Sequence, residues 1–288
     1  MSNYTIFTDS ACDIRPEVLA EWGVPFCSLT FHFEGSPKEY SNYELSSGEL
    51  YGRMRAKGVA RTAAVKMEVF RRAFEPLLQQ GQDILYLGFS SGLSGTCQAG
   101  AMAAAELREQ YPQRKILTVD TLAASGGEGL LLWLTLEEQR RGATLEQAAA
   151  FAEGMKLKIC HWFTVDDLEY LKRGGRVSPT VALVGGLLGI RPVMHMDDEG
   201  HLIKMFTVRG RRASLQALVD KYGELAHEPG KTPIFISHGD CMEDAQLLAR
   251  LLKEAHGVEV ARIVDVGPVI GAHSGPGTLS LFFVGEHR

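Results

Sequence analysis

Short apolar segments alternate with segments of helical period through the first half of the chain. The apolar segments have the length of buried strands, and loops rich in glycine, serine, threonine and aspartate follow them. Alternation of this kind is typical of a parallel α/β sheet with helices on both faces. The predicted strands are residues 4–8, 25–33, 83–88 and 115–120, and the predicted helices are 15–22, 44–56, 67–79, 98–111 and 127–141.

The second half has a different pattern. A DDEG turn at 197–200 separates two strand-like segments, which predicts a β-hairpin rather than a parallel crossover. We therefore expect an α/β protein with an N-terminal parallel, Rossmann-like α/β domain (1–160). A C-terminal α+β domain with a largely antiparallel sheet (161–288) would follow it. Its predicted elements are helices at 166–171, 181–190, 214–225 and 242–255 and strands at 201–208, 233–237, 259–264 and 278–284.

Composition narrows the functional classes. The chain has 288 residues, 45% of them hydrophobic, and a net charge of −5. A nucleic-acid-binding domain would show clustered basic residues, and this chain does not. The sequence lacks a signal-peptide pattern and an apolar run long enough to span a membrane. Its five cysteines are scattered, as in a cytoplasmic protein with reduced thiols, and the histidines show no metal-ligand spacing, so we expect no metal.

The stretch DILYLGFSSGLSGT (83–96) is the most informative segment. A strand enters a loop that contains three glycines and four hydroxyls, and a helix follows directly. Backbone N–H groups at such a helix start, with the positive end of the helix dipole, favour an anion. The GK[ST] ending of a P-loop is absent, so no lysine is placed for a nucleotide phosphate. The segment predicts an oxyanion site.

Two further strand ends support that prediction. TDSACD (8–13) and VDTLAASGG (119–127) also place small polar residues directly after a predicted strand. Because ligands of parallel α/β sheets lie at the carboxyl ends of the strands, we expect all three loops to converge on one site.

GFSSG (88–92) also satisfies G-x-S-x-G, the nucleophile elbow of α/β-hydrolases. Ser90 would then be the nucleophile, with Asp265 and His273 following in the order that this fold uses. Against this interpretation, residues 93–95 delay the helix that an elbow enters at once. A serine hydrolase that uses Ser90 remains an alternative, as does a module that binds a sugar or phosphate in the same loop.

Two other segments contain candidate anion-binding residues. His273 lies in GPVIGAHSGPG (267–277), which we expect to be neither helix nor continuous strand because of its glycines and prolines. A histidine held in such a turn can donate to an oxyanion, although it can equally cap its own loop. The segment LEYLKRGGRVS (168–178) is explained by a helix end with glycine and cations, and an anion or an acidic partner is the second interpretation.

Together these segments resemble the DegV family of bacterial fatty acid-binding proteins, which includes the acyl-binding subunits of fatty acid kinase. The matching segments follow one another over nearly the whole chain: TDSACD (8–13), SSGLSGT (90–96), VDT (119–121), ASGGEG (124–129), LEYLKRGGRVS (168–178), LGIRPV (188–193) and GPVIGAHSGPGTLSLFF (267–283).

The resemblance implies a non-catalytic carrier that buries a long-chain fatty acid, such as hexadecanoate, in a tunnel between the two domains. By position, the carboxylate would be held by Ser94, Thr62 and His273, with Gly95 and Ser274 in supporting loops. The family commonly continues with Ser-Gln-Pro after the threonine, whereas this chain has Ala-Ala-Val.

The resemblance also implies a partner. A separate ATP-dependent kinase would phosphorylate the carboxylate, and this chain would then hold the acyl phosphate. Arg173 and Arg176 would face the phosphate or the partner. The chain itself would need no cofactor and would contact a membrane at most transiently.

Overall fold

The protein, described here by a computed structural model over residues 4–178 and 189–288, is built around three β-sheets. The strands, in chain order, are β1 (Tyr4–Asp9), β2 (Phe26–Cys27), β3 (Thr30–Phe33), β4 (Glu39–Ser41), β5 (Ala60–Ala63), β6 (Asp83–Gly88), β7 (Ile116–Asp120), β8 (Ile159–Thr164), β9 (Ile190–Met196), β10 (Leu202–Arg209), β11 (Phe235–His238), β12 (Arg262–Asp265) and β13 (Leu279–Val284).

Helices cover the two larger sheets. In the described part of the chain they are α1 (Pro16–Glu21), α2 (Ser47–Arg55), α3 (Met67–Gln79), α4 (Thr96–Gln110), α5 (Gly126–Arg140), α6 (Leu145–Met155), α7 (Glu169–Arg173), α8 (Arg211–Leu225), α9 (Met242–His256) and α10 (Pro268–Ser274). Two short 3₁₀ turns, Ser10–Cys12 and Lys156–Lys158, complete the set.

The first sheet is parallel, with the order β2-β1-β6-β7. Its three long strands place their carboxyl ends side by side, so the three polar loops lie at one edge of the sheet. Asp9 joins two of these ends, because its Oδ2 accepts hydrogen bonds from Phe89 N at 3.0 Å and from the Tyr86 hydroxyl at 2.8 Å. Burial raises the pKa of Asp9 to about 6.

The second sheet is mixed and largely antiparallel, with the order β10-β9-β8-β13-β11-β12. Only β11 and β12 pair in parallel. One face of this sheet packs on α8 and α9, through residues such as Trp162 and Leu281. The other face carries His161 and Phe163 of β8 and turns toward the first sheet. The expected α/β fold, with a parallel N-terminal sheet and a largely antiparallel second sheet, is confirmed.

Some element predictions were wrong. The segment 25–33 forms two strands in different sheets, and Leu29 N donates to the Ser10 hydroxyl where the chain crosses between them. Helix α6 and strand β5 were not predicted. The stretch 181–190, predicted as a buried helix, lies mostly outside the described residues. The domain boundary at 160 stays a prediction, and the second sheet begins at Ile159.

The segment around His273 was predicted to be neither helix nor strand, and this was wrong. Pro268–Ser274 is the short helix α10. Proline is tolerated in the first turn because that N–H has no helical partner. Distant side chains take the free N–H groups at this end, since Gly267 N donates to Asp13 and Val269 N donates to Asn42. Gly275, at φ 81°, ends the helix.

Gly100 lets α4 approach the first sheet. A Cβ atom at this position would lie 2.4 Å from Cε1 of the fully buried Tyr86. We expect Gly100→Ala to lower the free energy of unfolding by about 1–2 kcal/mol, because overpacking exceeds the gain in helix propensity. Gly154 lies in α6 with open space around it. Gly154→Ala should raise the free energy of unfolding by up to about 1 kcal/mol. Urea unfolding of both variants tests this, and equal midpoints would contradict it.

Candidate functional site

A cavity lies between the two larger sheets and beside α10; we call it the central cavity. Most of its wall is apolar and comes from both halves of the chain: Leu29, Phe89, Leu93, Ala124, Phe163, Leu171, Met196, Leu202, Val266, Val269, Ile270 and Phe282. A smaller polar group lines the same space: Thr62, Ser94, Ser125, His161, Arg176, His273, Ser274, Thr278 and Ser280. An apolar wall with a few polar groups suits a ligand that is itself mostly apolar.

Ser94 sits on the loop between β6 and α4. Its Oγ accepts from Thr96 N at 3.2 Å and lies 2.9 Å from Thr96 Oγ1. Thr96 Oγ1 in turn accepts from Val65 N at 3.3 Å. Gly95 is the N-terminal capping residue of α4, so Ser94 lies at the positive end of a fifteen-residue helix. Sequence reasoning identified Ser94 and this helix start, but it missed the role of Thr96 in orienting the serine.

Thr62 and His273 are brought together although 211 positions separate them. Thr62 Oγ1 and His273 Nε2 are 2.8 Å apart. Thr62 lies on the edge strand β5, and His273 lies in the last turn of α10. The other ring nitrogen, His273 Nδ1, is buried without a hydrogen-bond partner within the described ranges. The ring packs on Gly174, where a Cβ would lie 2.1 Å from Nδ1.

His273 is held neutral. Burial, which is the largest cause, and the positive charges of Arg176, Arg61 and Arg173 together lower its pKa to about 4. A neutral imidazole donates from one nitrogen only. Arg61 is a cation that sequence reasoning missed, because it precedes Thr62 in a strand that the pattern did not predict. Its Nε donates to Glu34 Oε1 at 2.7 Å.

The two arginines named from the sequence lie in different surroundings. Arg176 lines the central cavity, and its Nε and Nη2 donate to Leu93 O at 3.1 and 2.9 Å. It thereby fixes the loop that carries Ser94. Arg173 is exposed, packs over the Tyr170 ring, and lies outside the cavity lining in a shallow surface depression with Arg55 and Lys57.

Ser274 and Gly95, expected as supporting residues, also line the cavity. The hydroxyl of Ser274 is buried and has no partner in the part of the chain that the structure describes. Ser274 follows His273 at the end of α10, so the same helix positions both residues.

Ser90, Asp265 and His273, the residues of the serine hydrolase alternative, do not form a catalytic triad. Ser90 is fully buried, and its hydroxyl donates to Gly200 O at 2.9 Å under the turn of the β9–β10 hairpin. His273 is bonded to Thr62, and Asp265 is bonded to Arg15 at 2.8 Å. A nucleophilic serine requires a base within hydrogen-bond reach, and neither histidine nor aspartate has this role toward Ser90.

A buried acid connects the cavity with α10. The Ser125 hydroxyl, which lines the cavity, lies 2.6 Å from Asp13 Oδ2, and Asp13 Oδ1 accepts from Gly267 N at 3.0 Å. Burial raises the pKa of Asp13 to about 8, although the hydrogen bonds from Ser125 and Gly267 oppose the shift. Asp13 is therefore mainly protonated at neutral pH.

This acid predicts a pH dependence of stability. In the folded chain Asp13 keeps its proton up to about pH 8. In the unfolded chain Asp13 has its ordinary pKa of 3.8 and loses the proton near that pH. The folded state binds more protons in that window, so raising the pH lowers the free energy of unfolding, by at most about 1.4 kcal/mol per pH unit. Asp13→Asn should remove this contribution. Urea unfolding from about pH 5 to about pH 8 tests it, and equal pH slopes in both proteins would contradict it.

Within residues 4–178 and 189–288, no helix is long and apolar enough to cross a membrane. Across the same residues, no group of three histidine, cysteine or acidic side chains is placed to hold a metal ion.

A family model described as uncharacterised protein, DegV family, matches residues 3–286. A DegV domain-containing protein of Clostridium perfringens is 38% identical over 291 residues, which cover 100% of this chain and 99% of the relative.

Solved structures agree with the fold. A DegV family protein from Thermus thermophilus, described as fatty acid-binding, has a TM-score of 0.88 at 28% identity over 98% of this chain and 99% of its own. A Thermotoga maritima protein, also described as having a fatty acid-binding function, has a TM-score of 0.84 at 28% identity over 99% of this chain and 100% of its own.

Proposed function

This chain belongs to the DegV family, and we propose that it is a non-catalytic carrier of a long-chain fatty acid. The observation that carries the proposal is the central cavity, whose wall is apolar and whose polar residues include Ser94, Thr62 and His273. Relatives described as fatty acid-binding share the fold.

The carboxylate would meet two directed hydroxyl donors and the start of α4. A carboxylate can only accept, so a ligand at Ser94 takes the Ser94 proton, and Thr96 Oγ1 then donates to Ser94 Oγ. On the other side, an N–H at the buried Nδ1 of His273 would lack an acceptor, which is more costly than an unused lone pair. We therefore assign the proton to Nε2, which donates to Thr62 and frees the Thr62 proton. Two hydroxyls and the start of α4 replace the water that a carboxylate loses on burial.

The tail would supply the driving force. At about 0.8 kcal/mol per buried methylene, about twelve methylenes contribute about 10 kcal/mol before the loss of ligand freedom is subtracted. The apolar residues of the cavity wall provide the surface for this burial.

Native mass spectrometry of the purified protein tests the carrier proposal. We expect one fatty acid per chain, identified after denaturation, or stoichiometric uptake of added palmitate or oleate by the empty protein. A chain that arrives empty and takes up neither acid would refute the proposal. A fluorophosphonate probe is the control for hydrolase chemistry and should leave Ser90 unlabelled.

We further propose that the carrier presents the carboxylate to a separate kinase and then holds the acyl phosphate. Arg173 is exposed and directly precedes Gly174, on which the His273 ring packs, and this supports a contact with a phosphate that projects beyond the cavity. Arg173→Ala should weaken binding of a non-hydrolysable acyl phosphonate about three- to tenfold and leave the affinity for the fatty acid unchanged. Arg72→Ala, an exposed arginine on α3, is the control. Equal losses for both ligands would contradict this role.

A further inference from the structure

The turn of the β9–β10 hairpin lies against the loops at the carboxyl edge of the first sheet. The arms of this hairpin contribute Met196 and Leu202, a cross-strand pair, to the apolar wall of the central cavity. The turn itself comes so close to the loop before α4 that a Cβ at Gly92 would lie 2.7 Å from Glu199 O. The position of the turn therefore sets how this part of the wall stands relative to the loop that carries Ser94.

Arg288 joins this turn to the first sheet. Its Nη1 donates to Leu122 O at 2.7 Å, in the loop between β7 and α5, and to Asp197 O at 3.1 Å, directly after β9. Its Nη2 donates to Lys156 O, in the 3₁₀ turn before β8. A guanidinium is always charged and presents its N–H donors in a rigid fork, so it can hold three carbonyls in one arrangement.

The loop that Arg288 contacts is strained and is bonded to the head-group loop. Leu122 has a φ of 48°, in the left-handed region that a leucine rarely adopts, so its surroundings must hold it there. Leu122 N donates to Asp120 Oδ1 at 3.1 Å, and the same oxygen accepts from Ser91 N at 3.2 Å. Arg288 therefore links the β9–β10 turn, through Leu122 and Asp120, to the loop that carries Ser94.

We propose that Arg288 is a positioning residue for ligand retention, because it keeps the β9–β10 turn closed on the first sheet. The inference rests on the proposed fatty acid binding and adds to it a residue that is not among those lining the central cavity. The link from Leu122 to Asp197 exists only while the turn is in place, so its loss raises the population of open chains. An acyl chain enclosed between the two sheets then leaves faster, although no group that meets the carboxylate has changed.

The rate of ligand release tests this role. The probe is cis-parinaric acid, a fluorescent fatty acid, which is displaced from the loaded protein by an excess of palmitate. We expect Arg288→Gln to release the probe about tenfold faster than the wild-type protein, which corresponds to the loss of one hydrogen bond from a charged donor. Arg288→Lys keeps the charge on a single nitrogen in place of the fork, so its release rate should lie between the two.

The matched control is Arg114→Gln. Arg114 is also half-buried and donates to a backbone carbonyl, Gly81 O, but it lies at the amino edge of the first sheet, where β6 and β7 begin. Its replacement should lower the urea midpoint and leave the release rate unchanged. Hydrogen exchange provides a second measurement, since peptides covering 121–124 and 197–201 should exchange faster in Arg288→Gln than in Arg114→Gln or the wild-type protein.

The possible results distinguish this role from general stability and from the carrier proposal. A wild-type release rate in Arg288→Gln, or equally fast release from Arg288→Gln and Arg114→Gln, would contradict the role of Arg288 and leave the carrier proposal standing. If the wild-type protein binds neither parinaric acid nor palmitate, the carrier proposal fails, and this inference fails with it. Should Arg288→Gln fold poorly, Arg288→Lys decides, since it must still release the probe faster than the wild-type protein.

Discussion

Replacing Ser94 by alanine is expected to lower the affinity for a long-chain fatty acid by about ten- to a hundredfold. A hydrogen bond to a charged group contributes about 1.5–3 kcal/mol, and the carboxylate loses its donor at the start of α4. Thr96 N also loses its hydrogen-bond acceptor, Ser94 Oγ, at the start of α4. Isothermal titration calorimetry with the delipidated protein measures the effect.

The matched control is Ser91→Ala. Ser91 is on the same loop, is exposed, and is not among the residues that line the central cavity. Its replacement should leave the affinity and the urea midpoint unchanged, whereas Ser94→Ala should stay folded with a somewhat lower midpoint because Thr96 N loses its acceptor. If Ser94→Ala and Ser91→Ala bind equally well, Ser94 does not hold the carboxylate.

Thr62 and His273 are expected to act as one unit. Thr62→Val and His273→Phe should each weaken fatty acid binding by about five- to twentyfold, since either change removes the oriented hydroxyl proton. The double variant should bind the fatty acid no more weakly than the weaker-binding of the two single variants, because the second change removes a group that no longer contributes to binding. Thr62→Ser keeps the hydroxyl and should bind nearly as well as wild type.

A double-mutant cycle with the same titration separates this coupling from two independent contacts. If the losses of binding free energy in the two single variants add up to the loss in the double variant, each side chain contacts the ligand independently. The proton assignment at His273 would then be wrong. The binding of His273→Phe should also be compared above pH 5, where the wild-type imidazole is already neutral and its charge does not complicate the comparison.

Much of the first sheet could be predicted from the sequence because its signals are local. The helix Met67–Gln79 and the strand Asp83–Gly88 have the predicted bounds. The start of α4 follows from glycines and hydroxyls that are adjacent in the chain. Parallel pairing then brings the three polar strand ends to one edge without any further information.

Other features depend on contacts between distant residues. Helix α10 forms in a segment of glycine and proline because Asp13 and Asn42, more than 200 positions away, take its free N–H groups. Ser90 matches a nucleophile motif, but the hairpin turn at Gly200 buries it and occupies its hydroxyl. A motif records which residues are adjacent, and it does not record what covers them.

The sequence by itself determined the α/β fold with its two kinds of sheet, the glycine- and hydroxyl-rich loop with Ser94, and the resemblance to a fatty acid-binding family. These follow from hydrophobic period, turn residues and ordered motifs, which act over a few residues. Only the tertiary structure decided that Thr62 meets His273, that Arg176 supports the Ser94 loop, and that Arg288 reaches the β9–β10 turn. Such pairs are set by sheet register and helix packing, because these alone fix the distance between residues that are far apart in the chain.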